Sequence, residues 1–457
     1  MAEPRIIVIG AGPAGVRCAA ALVEAGIRPT VIDEGRRDGG QIFRRQPENF
    51  TRTYRTLYGT EAGRAEALHR CFDSLRDRMD YRPETLVWNI AGGAVYTSSG
   101  SERAALSYDA LIVCSGAADR LMPLTGWNLA GTFTLGGAQV ALKSQACAIG
   151  RRVAFLGTGP LLYLVAAQYL KAGAGIAAVI DTSPLMRRVM ALRGLLAQPA
   201  ALWNGVALTM ALRRARVPLF FGAEPVAIEG DAENGVSGLS FRARGGLQTV
   251  SCDAVAMGYH LRPEAQLADL AQCEFTFDES LHQWRPRIDA DGRSSVPNVY
   301  LAGDGTRILG ARAAELSGRL AALAALRDLG RNQDAAAMAR LRRGLKRYRT
   351  FAEGLAAAFP WPAQQAAMLP DEAVVCRCEA ITAGELRRVV QEAGACEANR
   401  AKAFSRVGMG RCQGRYCGDA GTEIISAAAH VPIRSVGRLR GQAPVKPLNI
   451  QMSGVPE

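Results

Sequence analysis

The same local pattern occurs twice in this chain: an apolar run that ends on a glycine-rich turn and passes directly into a helix-forming stretch. Residues 5–9 lead into Gly10-Ala-Gly12-Pro13-Ala14-Gly15 and a helix over 16–25; residues 152–156 lead into Gly157-Thr-Gly159-Pro160-Leu-Leu162. Short continuous apolar runs suit buried parallel strands. In such a loop the first glycine permits the turn and the second lets backbone approach a pyrophosphate. The third lets helix press on strand, and the N–H-rich helix start holds negative charge. The pattern predicts an α/β chain with two dinucleotide-type units.

A carboxylate follows each unit at the end of its second strand. After a strand at 29–32 stand Asp33 and Glu34, about twenty residues beyond the first loop, where an acid can take ribose hydroxyls. After a strand at 176–180 stands Asp181, followed by Ser183, Pro184 and Arg187-Arg188. In the second loop Leu162 replaces the third glycine, so helix and strand must pack differently there. Two readings stay open for it. One is an NAD(P) or ATP-like nucleotide site at Gly157, Gly159, Pro160 and Asp181, in which a free Asp181 favours an unphosphorylated 2′-hydroxyl. The other is a fold that no longer takes a nicotinamide.

Near the C-terminal end, Cys376-Arg-Cys378 and Cys412-Gln-Gly-Arg-Tyr-Cys417 flank a stretch, 379–411, long enough to fold into helices. Two close pairs so arranged make a tetrathiolate set for iron–sulfur or zinc. An extended backbone puts Cys376 and Cys378 on one side. Thr382 followed by Glu385 predicts a capping box opening a helix that runs to about Glu392. Gly408, Gly410 and Gly414 surround Cys412 in a tight loop, and Cys417 opens a helix over 420–429 whose dipole favours thiolate. Arg377, Lys402, Arg406, Arg411 and Arg415 offset an anionic cluster. Zinc knuckles more often use CxxC, so the CxC and Cx₄C spacing favours [2Fe-2S]. Outside this region no CxxC occurs, and Cys114, Cys147 and Cys396 read as core thiols, so dithiol chemistry is not expected.

Bulk properties narrow the remaining classes. With 457 residues, two or three domains are expected, and 49% apolar with 21% charged residues is ordinary for a globular chain. The net charge of +13 comes mostly from scattered arginines with no interleaved aromatic platform, so nucleic acid is not expected as a partner. The most apolar stretch, around 195–212, is interrupted by Gln198, Pro199, Asn204 and Gly205, and no transmembrane segment or leader is expected. Cysteine usage points to a cytoplasmic setting, with a peripheral place at the inner face of the membrane left open.

Three further segments carry a resemblance. Gly39-Gly40-Gln41-Ile42, Tyr108-Asp-Ala-Leu-Ile-Val-Cys-Ser115-Gly116 and Asn298-Val-Tyr-Leu-Ala-Gly303-Asp304 resemble, in order, the FAD half of two-dinucleotide-domain flavoproteins. Cys252-Asp-Ala-Val-Ala-Met-Gly258 resembles the strand by which their inserted domain returns. The likeness implies FAD contacts at Gly10, Gly12, Pro13, Ala14, Gly15, Asp33, Glu34, Gly40, Gln41, Val87, Ser115, Gly116, Gly303 and Asp304. The cysteine module resembles the bacterioferritin-associated-ferredoxin-like [2Fe-2S] domain, and its Gly-Met-Gly-Arg-Cys-Gln-Gly-Arg-Tyr-Cys closure at 408–417 is that of versions fused to flavoproteins. This implies Cys376, Cys378, Cys412 and Cys417 as ligands.

As a whole the chain resembles the α-type subunits of heteromeric FAD-dependent amino-acid and opine dehydrogenases. That likeness implies an FAD-containing β partner that oxidises the amine, a relay here through FAD and [2Fe-2S], and an acceptor such as a quinone. Some relatives add FMN at the subunit contact. The competing expectation is a stand-alone NAD(P)H-dependent flavin and [2Fe-2S] reductase. No local set of residues makes an amine-oxidising site, and among the histidines only His260 is a candidate for touching the flavin. The expected division is an FAD domain at 1–120 and 259–330 and an inserted nucleotide domain at 121–258. Linker helices follow at 331–370, then a helical [2Fe-2S] domain at 371–433 and an extended tail at 434–457. The apolar, arginine-flanked stretch 186–216 is read as an insertion packed on its own domain, with partner docking and membrane contact as the other readings.

Overall fold

A computed structural model describes residues 3–243 and 245–449. Two parallel five-stranded sheets organise the body. In the first, the spatial order is Val299–Leu301, Ala110–Val113, Ile6–Ile9, Thr30–Ile32 and Asp80–Arg82. In the second it is Leu219–Phe221, Gly175–Asp181, Arg152–Thr158, Ala254–Tyr259 and Thr132–Thr134. Ile6–Ile9 and Ala110–Val113 are buried along their whole length, as strands covered on both faces must be. Each glycine loop therefore sits at the carboxyl edge of its sheet, where open α/β sheets bind ligands.

The first helix, Pro13–Glu24, starts three residues earlier than its apolar run suggests, because Pro13 has no N–H to lose and its fixed φ suits the first helical turn. It lies on the helix Ala311–Asp328, where a Cβ added to Gly318 would stand 2.0 Å from the Ala14 carbonyl oxygen. Only a glycine admits that approach. Two short strands, Ala117–Asp119 and Leu261–Pro263, pair antiparallel and carry the chain out of the first sheet unit and back.

Beyond residue 330 the stretch expected as linker helices opens with one long helix, Ala335–Ala358, whose first turn is capped by Asp334 accepting from the Ala336 N–H at 2.8 Å. The C-terminal module pairs Val374–Cys376 with Ile381–Thr382 and adds helices Ala383–Ala393, Ala398–Ser405 and Gly418–Ala429. Its capping box forms as expected: Glu385 N–H donates to Thr382 Oγ1 at 3.2 Å and Thr382 N–H donates to Glu385 Oε2 at 2.7 Å. One part of the module's core is its own, formed by Val390, Ala395, Ala398, Ala401, Ile425 and Val436, and another part is shared with the body. Val375, Ile381, Leu386, Val407 and Ile424 are continuous with Leu121, Met122, Leu156 and Met257 of the second nucleotide unit.

Some expectations need correction. The tail expected as extended from 434 begins with a helical turn, Ile433–Val436, and then runs along the chain's own body, with the Val445 N–H donating to the Trp88 carbonyl at 3.3 Å. The rest of it, 450–457, lies outside the described residues. Cys147 and Cys396, read as core thiols, are exposed, whereas Cys114 is buried. The stretch 186–216 packs on its own domain as expected, but by one face only: Ala191, Leu195 and Leu212 join the core of the second nucleotide unit beside Leu162 and Tyr169. It folds as helices Leu185–Met190, Leu192–Leu195 and Pro199–Arg214, in which only Leu195 and Leu212 are buried. Among the described residues no helix is long and apolar enough to cross a membrane.

Candidate redox-cofactor sites

The first loop is shaped by close backbone approach. A Cβ on Gly15 would meet the Gly10 carbonyl oxygen at 1.7 Å, and one on Gly10 the Cys114 carbonyl oxygen at 2.4 Å. Gly39 donates its N–H to the Ala11 carbonyl at 2.8 Å, which folds the Gly39–Gly40 bend onto the loop, and Gly40 Cα lies 3.6 Å from where a Gly12 Cβ would be. Gly12 caps the helix Pro13–Glu24 without a side-chain partner for its first N–H groups. Likewise Gly310 caps Ala311–Asp328 with a positive φ of 87° and open space where a side chain would point. Gly116 also opens onto empty space. Two uncapped helix starts and glycines facing a void suit a dinucleotide with a pyrophosphate and a flavin ring.

The acids of this unit are already engaged. Asp33 Oδ2 accepts from Ala11 N–H at 2.5 Å and its Oδ1 from Gly35 N–H at 2.6 Å, so it holds the loop, while burial pushes its carboxyl above the usual range. Glu34 pairs with Lys446 of the tail. Asp304 Oδ1 accepts from Leu309 N–H at 2.8 Å and Gly310 N–H at 3.0 Å, which ties the Gly303–Asp304 turn to the following helix. Ser115 Oγ donates to the Glu264 carbonyl at 2.5 Å. Gln41 is exposed, and Val87 is buried in the strand Leu86–Ala91. Beside Gly303 and Asp304 lies a cavity of about 290 Å³ onto which Arg285, Arg307 and Arg349 converge.

The second loop is different in kind. Asp181 is fully buried, with Oδ1 accepting from Thr158 Oγ1 at 2.9 Å, Ser183 N–H at 2.8 Å and Ser183 Oγ at 2.7 Å. Its Oδ2 accepts from Tyr163 OH at 2.5 Å and from Arg188. Five donors leave that carboxylate turned inward rather than presented to a ribose. Across the loop, His260 Nδ1 stands 3.0 Å from the position of a Gly159 Cβ, and its Nε2 lies 2.6 Å from the Phe359 carbonyl oxygen. The Phe359 ring in turn stacks on the Arg188 guanidinium at 4.8 Å. Phe359, the residue after the long linker helix, thus lies between His260 and Arg188 over the edge of the second sheet. His260, considered for the flavin, is held at this second loop, with burial lowering its imidazole pKa.

The four cysteines come together. Hydrogen-bonding contacts run Cys376–Cys417–Cys412–Cys378. The bond from Cys417 holds Cys412 down to about 5 and Cys376 down to about 6, with backbone N–H groups of Gly408, Glu379, Gly414 and Tyr416 adding to it, while donating those bonds pushes Cys417 itself up and burial raises Cys378. Thiolate is the form a metal takes. Cys376 and Cys417 are buried and Cys378 is exposed, so the set reaches from the interior to the surface. A Cβ on Gly410 would meet Cys378 Cβ at 2.2 Å, which is why the two cysteine loops can meet only over a glycine. The CxC and Cx₄C pairs, unusual for zinc knuckles, offer two irons two cysteine sulfurs each.

Residues that spacing could not reveal fasten this module to the body. Arg120, 3% exposed, binds Asp419 Oδ2 at 2.8 Å and lies 3.7 Å above the Trp361 ring. Arg415 Nε binds Glu264 Oε2 at 2.8 Å, and Trp127 Nε1 donates to the Val374 carbonyl at 2.5 Å.

Comparison with known proteins identifies the two parts of the chain. The family described as pyridine nucleotide-disulphide oxidoreductase matches residues 4–323, and that described as BFD-like [2Fe-2S] binding domain matches residues 374–427. The opine oxidase A-subunit of Rhizobium meliloti is 36% identical over 97% of this chain and 86% of its own length. Hydrogen cyanide synthase subunit HcnB of Pseudomonas protegens is 30% identical over 97% of this chain and 96% of its own. In fold, L-proline dehydrogenase from P. horikoshii is similar with a TM-score of 0.73, at 17% identity, over 98% of this chain and 78% of that one. The chain belongs to the pyridine nucleotide-disulphide oxidoreductase family, in the line of the opine oxidase A-subunits, and is an FAD-dependent oxidoreductase with a BFD-like [2Fe-2S] domain.

Proposed function

We propose that the chain is the flavin and iron–sulfur subunit of a heteromeric dehydrogenase of amino acids or opines, secondary amines oxidised in a partner subunit that carries its own FAD. The amine loses two electrons and two protons to give an imine, which water hydrolyses; the electrons pass to this chain and leave to an acceptor such as a quinone, which takes up two protons. Bound FAD would supply an exchange between electron pairs and single electrons, and a [2Fe-2S] cluster a one-electron store. FAD would be held by the first loop, by Asp33 and Gly40, and by Ser115, Gly116, Gly303 and Asp304; the cluster by the four cysteines. An FMN at the subunit contact would find Arg285, Arg307 and Arg349 around the cavity beside Asp304.

The observation that carries this reading is the direct link between the two sites. Ser115 on the flavin side donates to the carbonyl of Glu264, whose carboxylate binds Arg415 between Cys412 and Cys417. The flavin loop and the cysteine loop are thereby held in register as a relay requires. The NAD(P)H-reductase reading has less support, since His260 and Phe359 lie over the second loop and Asp181 is engaged.

Dye reduction by the chain alone and with a co-expressed oxidase subunit tests the proposal, with proline, hydroxyproline, opines, glycine and NADH as donors. Amine-dependent reduction only with the partner is expected. Amine turnover by the lone chain, or NADH oxidation without amine activity in the complex, would overturn it.

A further inference from the structure

We propose that the helices Leu185–Met190, Leu192–Leu195 and Pro199–Arg214 form a docking face for an anionic lipid surface. Of the sixteen large apolar side chains exposed among the described residues, nine lie between 185 and 210. They include Met186 and Val189 at 65% exposure, Met190 at 77%, Leu196 at 53% and Trp203 at 73%. Such a concentration goes beyond the scattered apolar residues normal on a protein surface. The opposite side of these helices is already committed: Ala191, Leu195 and Leu212 are buried, and Gly194 meets Gly354 of the linker helix so closely that a Cβ there would lie 2.8 Å from Gly354 Cα. The body therefore fixes which face points outward.

Charge identifies the occupant. From 182 to 223 the chain has six arginines and no Asp or Glu. Arg188 turns inward to Asp181, whereas Arg187, Arg193, Arg213, Arg214 and Arg216 are exposed and, among the described residues, make no ion pair. Apolar side chains with an exposed tryptophan, bordered by unpaired arginines alone, match the interfacial zone of a bilayer with anionic headgroups. An acceptor dissolved in that bilayer would then lie near the chain, although the inference rests on the surface and not on the acceptor.

The test uses the full chain, with whatever subunit it purifies with, and phosphatidylcholine vesicles with and without phosphatidylglycerol. Sedimentation with the anionic vesicles only, weakened by salt, is expected. Brominated lipid should quench tryptophan emission, and Trp203→Phe should remove that quenching. Met190→Glu with Trp203→Glu should abolish binding while flavin absorbance is retained; Arg193→Glu with Arg214→Glu should weaken it roughly tenfold or more. Failure to sediment with anionic vesicles, or sedimentation unchanged in the Met190→Glu, Trp203→Glu variant, would overturn the proposal. So would loss of a co-purifying subunit in that variant, which would assign the face to a protein interface.

Discussion

Arg415, placed between Cys412 and Cys417, donates through Nε to Glu264 Oε2 at 2.8 Å, although the two residues are 151 positions apart. Both side chains are nearly buried, at 11% and 15% exposure. Burial pushes the Glu264 carboxyl up, but Arg415 and Arg262 outweigh it and hold the pKa below the usual range. The pair fastens the cysteine loop to the strand that returns to the flavin unit.

Glu264→Gln should leave Arg415 buried without its counter-charge. A destabilisation on the order of 3 kcal/mol is expected in urea unfolding, with faster iron loss to a chelator. Adding Arg415→Leu should cost less than the sum of the two single changes, since the second substitution removes the orphaned charge.

Replacing Cys376, Cys378, Cys412 or Cys417 by serine should remove the iron and its visible bands while flavin remains, because the two sites use separate residues. Cys147→Ser and Cys396→Ser, both at exposed positions, should change neither. Zinc in place of iron by metal analysis would refute the [2Fe-2S] assignment.

Gly15→Ala should prevent FAD retention. The added methyl would lie 1.7 Å from the Gly10 carbonyl oxygen, so helix and strand must separate at the point where the pyrophosphate would rest. Flavin absorbance after purification measures the loss, and Gly63→Ala, which meets nothing within 4 Å, is the control.

NADH and NADPH should leave the flavin oxidised in anaerobic mixing, with Phe359 over the second loop. Phe359→Ala should reduce stability by about 3 kcal/mol, as loss of a buried aromatic does, and is the variant in which any nicotinamide response would first appear.

Lys143, 8% exposed and donating to the Ile42 carbonyl at 3.3 Å, has its pKa lowered by burial from 10.5 to about 8. Between those values the unfolded chain keeps a proton that the folded chain has lost, so stability rises with pH across the window and is reduced below it. Lys143→Met should flatten that rise and stabilise the protein near neutral pH by about 2 kcal/mol, read from melting temperature against pH.

Much of the site was legible because its chemistry is local. The glycine loops, the Gly39–Gly40 bend, the capping box and the cysteine pairs each depend on a few neighbouring residues whose backbone demands show in the letters. Periodicity could not say which face of 185–214 is covered, since the stretch carries apolar residues on more than one side. Nor could spacing expose Cys147 and Cys396. Asp181 was legible as an acid at a strand end, but its five donors come from Thr158, Tyr163, Ser183 and Arg188, gathered by the fold.

By itself the amino-acid order determined two strand–glycine–helix units, a tetrathiolate module and their succession, because short-range sterics and hydrogen bonding leave those segments few alternatives. Only the tertiary structure decided that Phe359 lies over the second loop against His260, and that Arg120 and Arg415 clamp the cysteine module to the crossover. Those outcomes depend on which distant groups lose their water together, and burial of that kind is settled by packing across the whole chain.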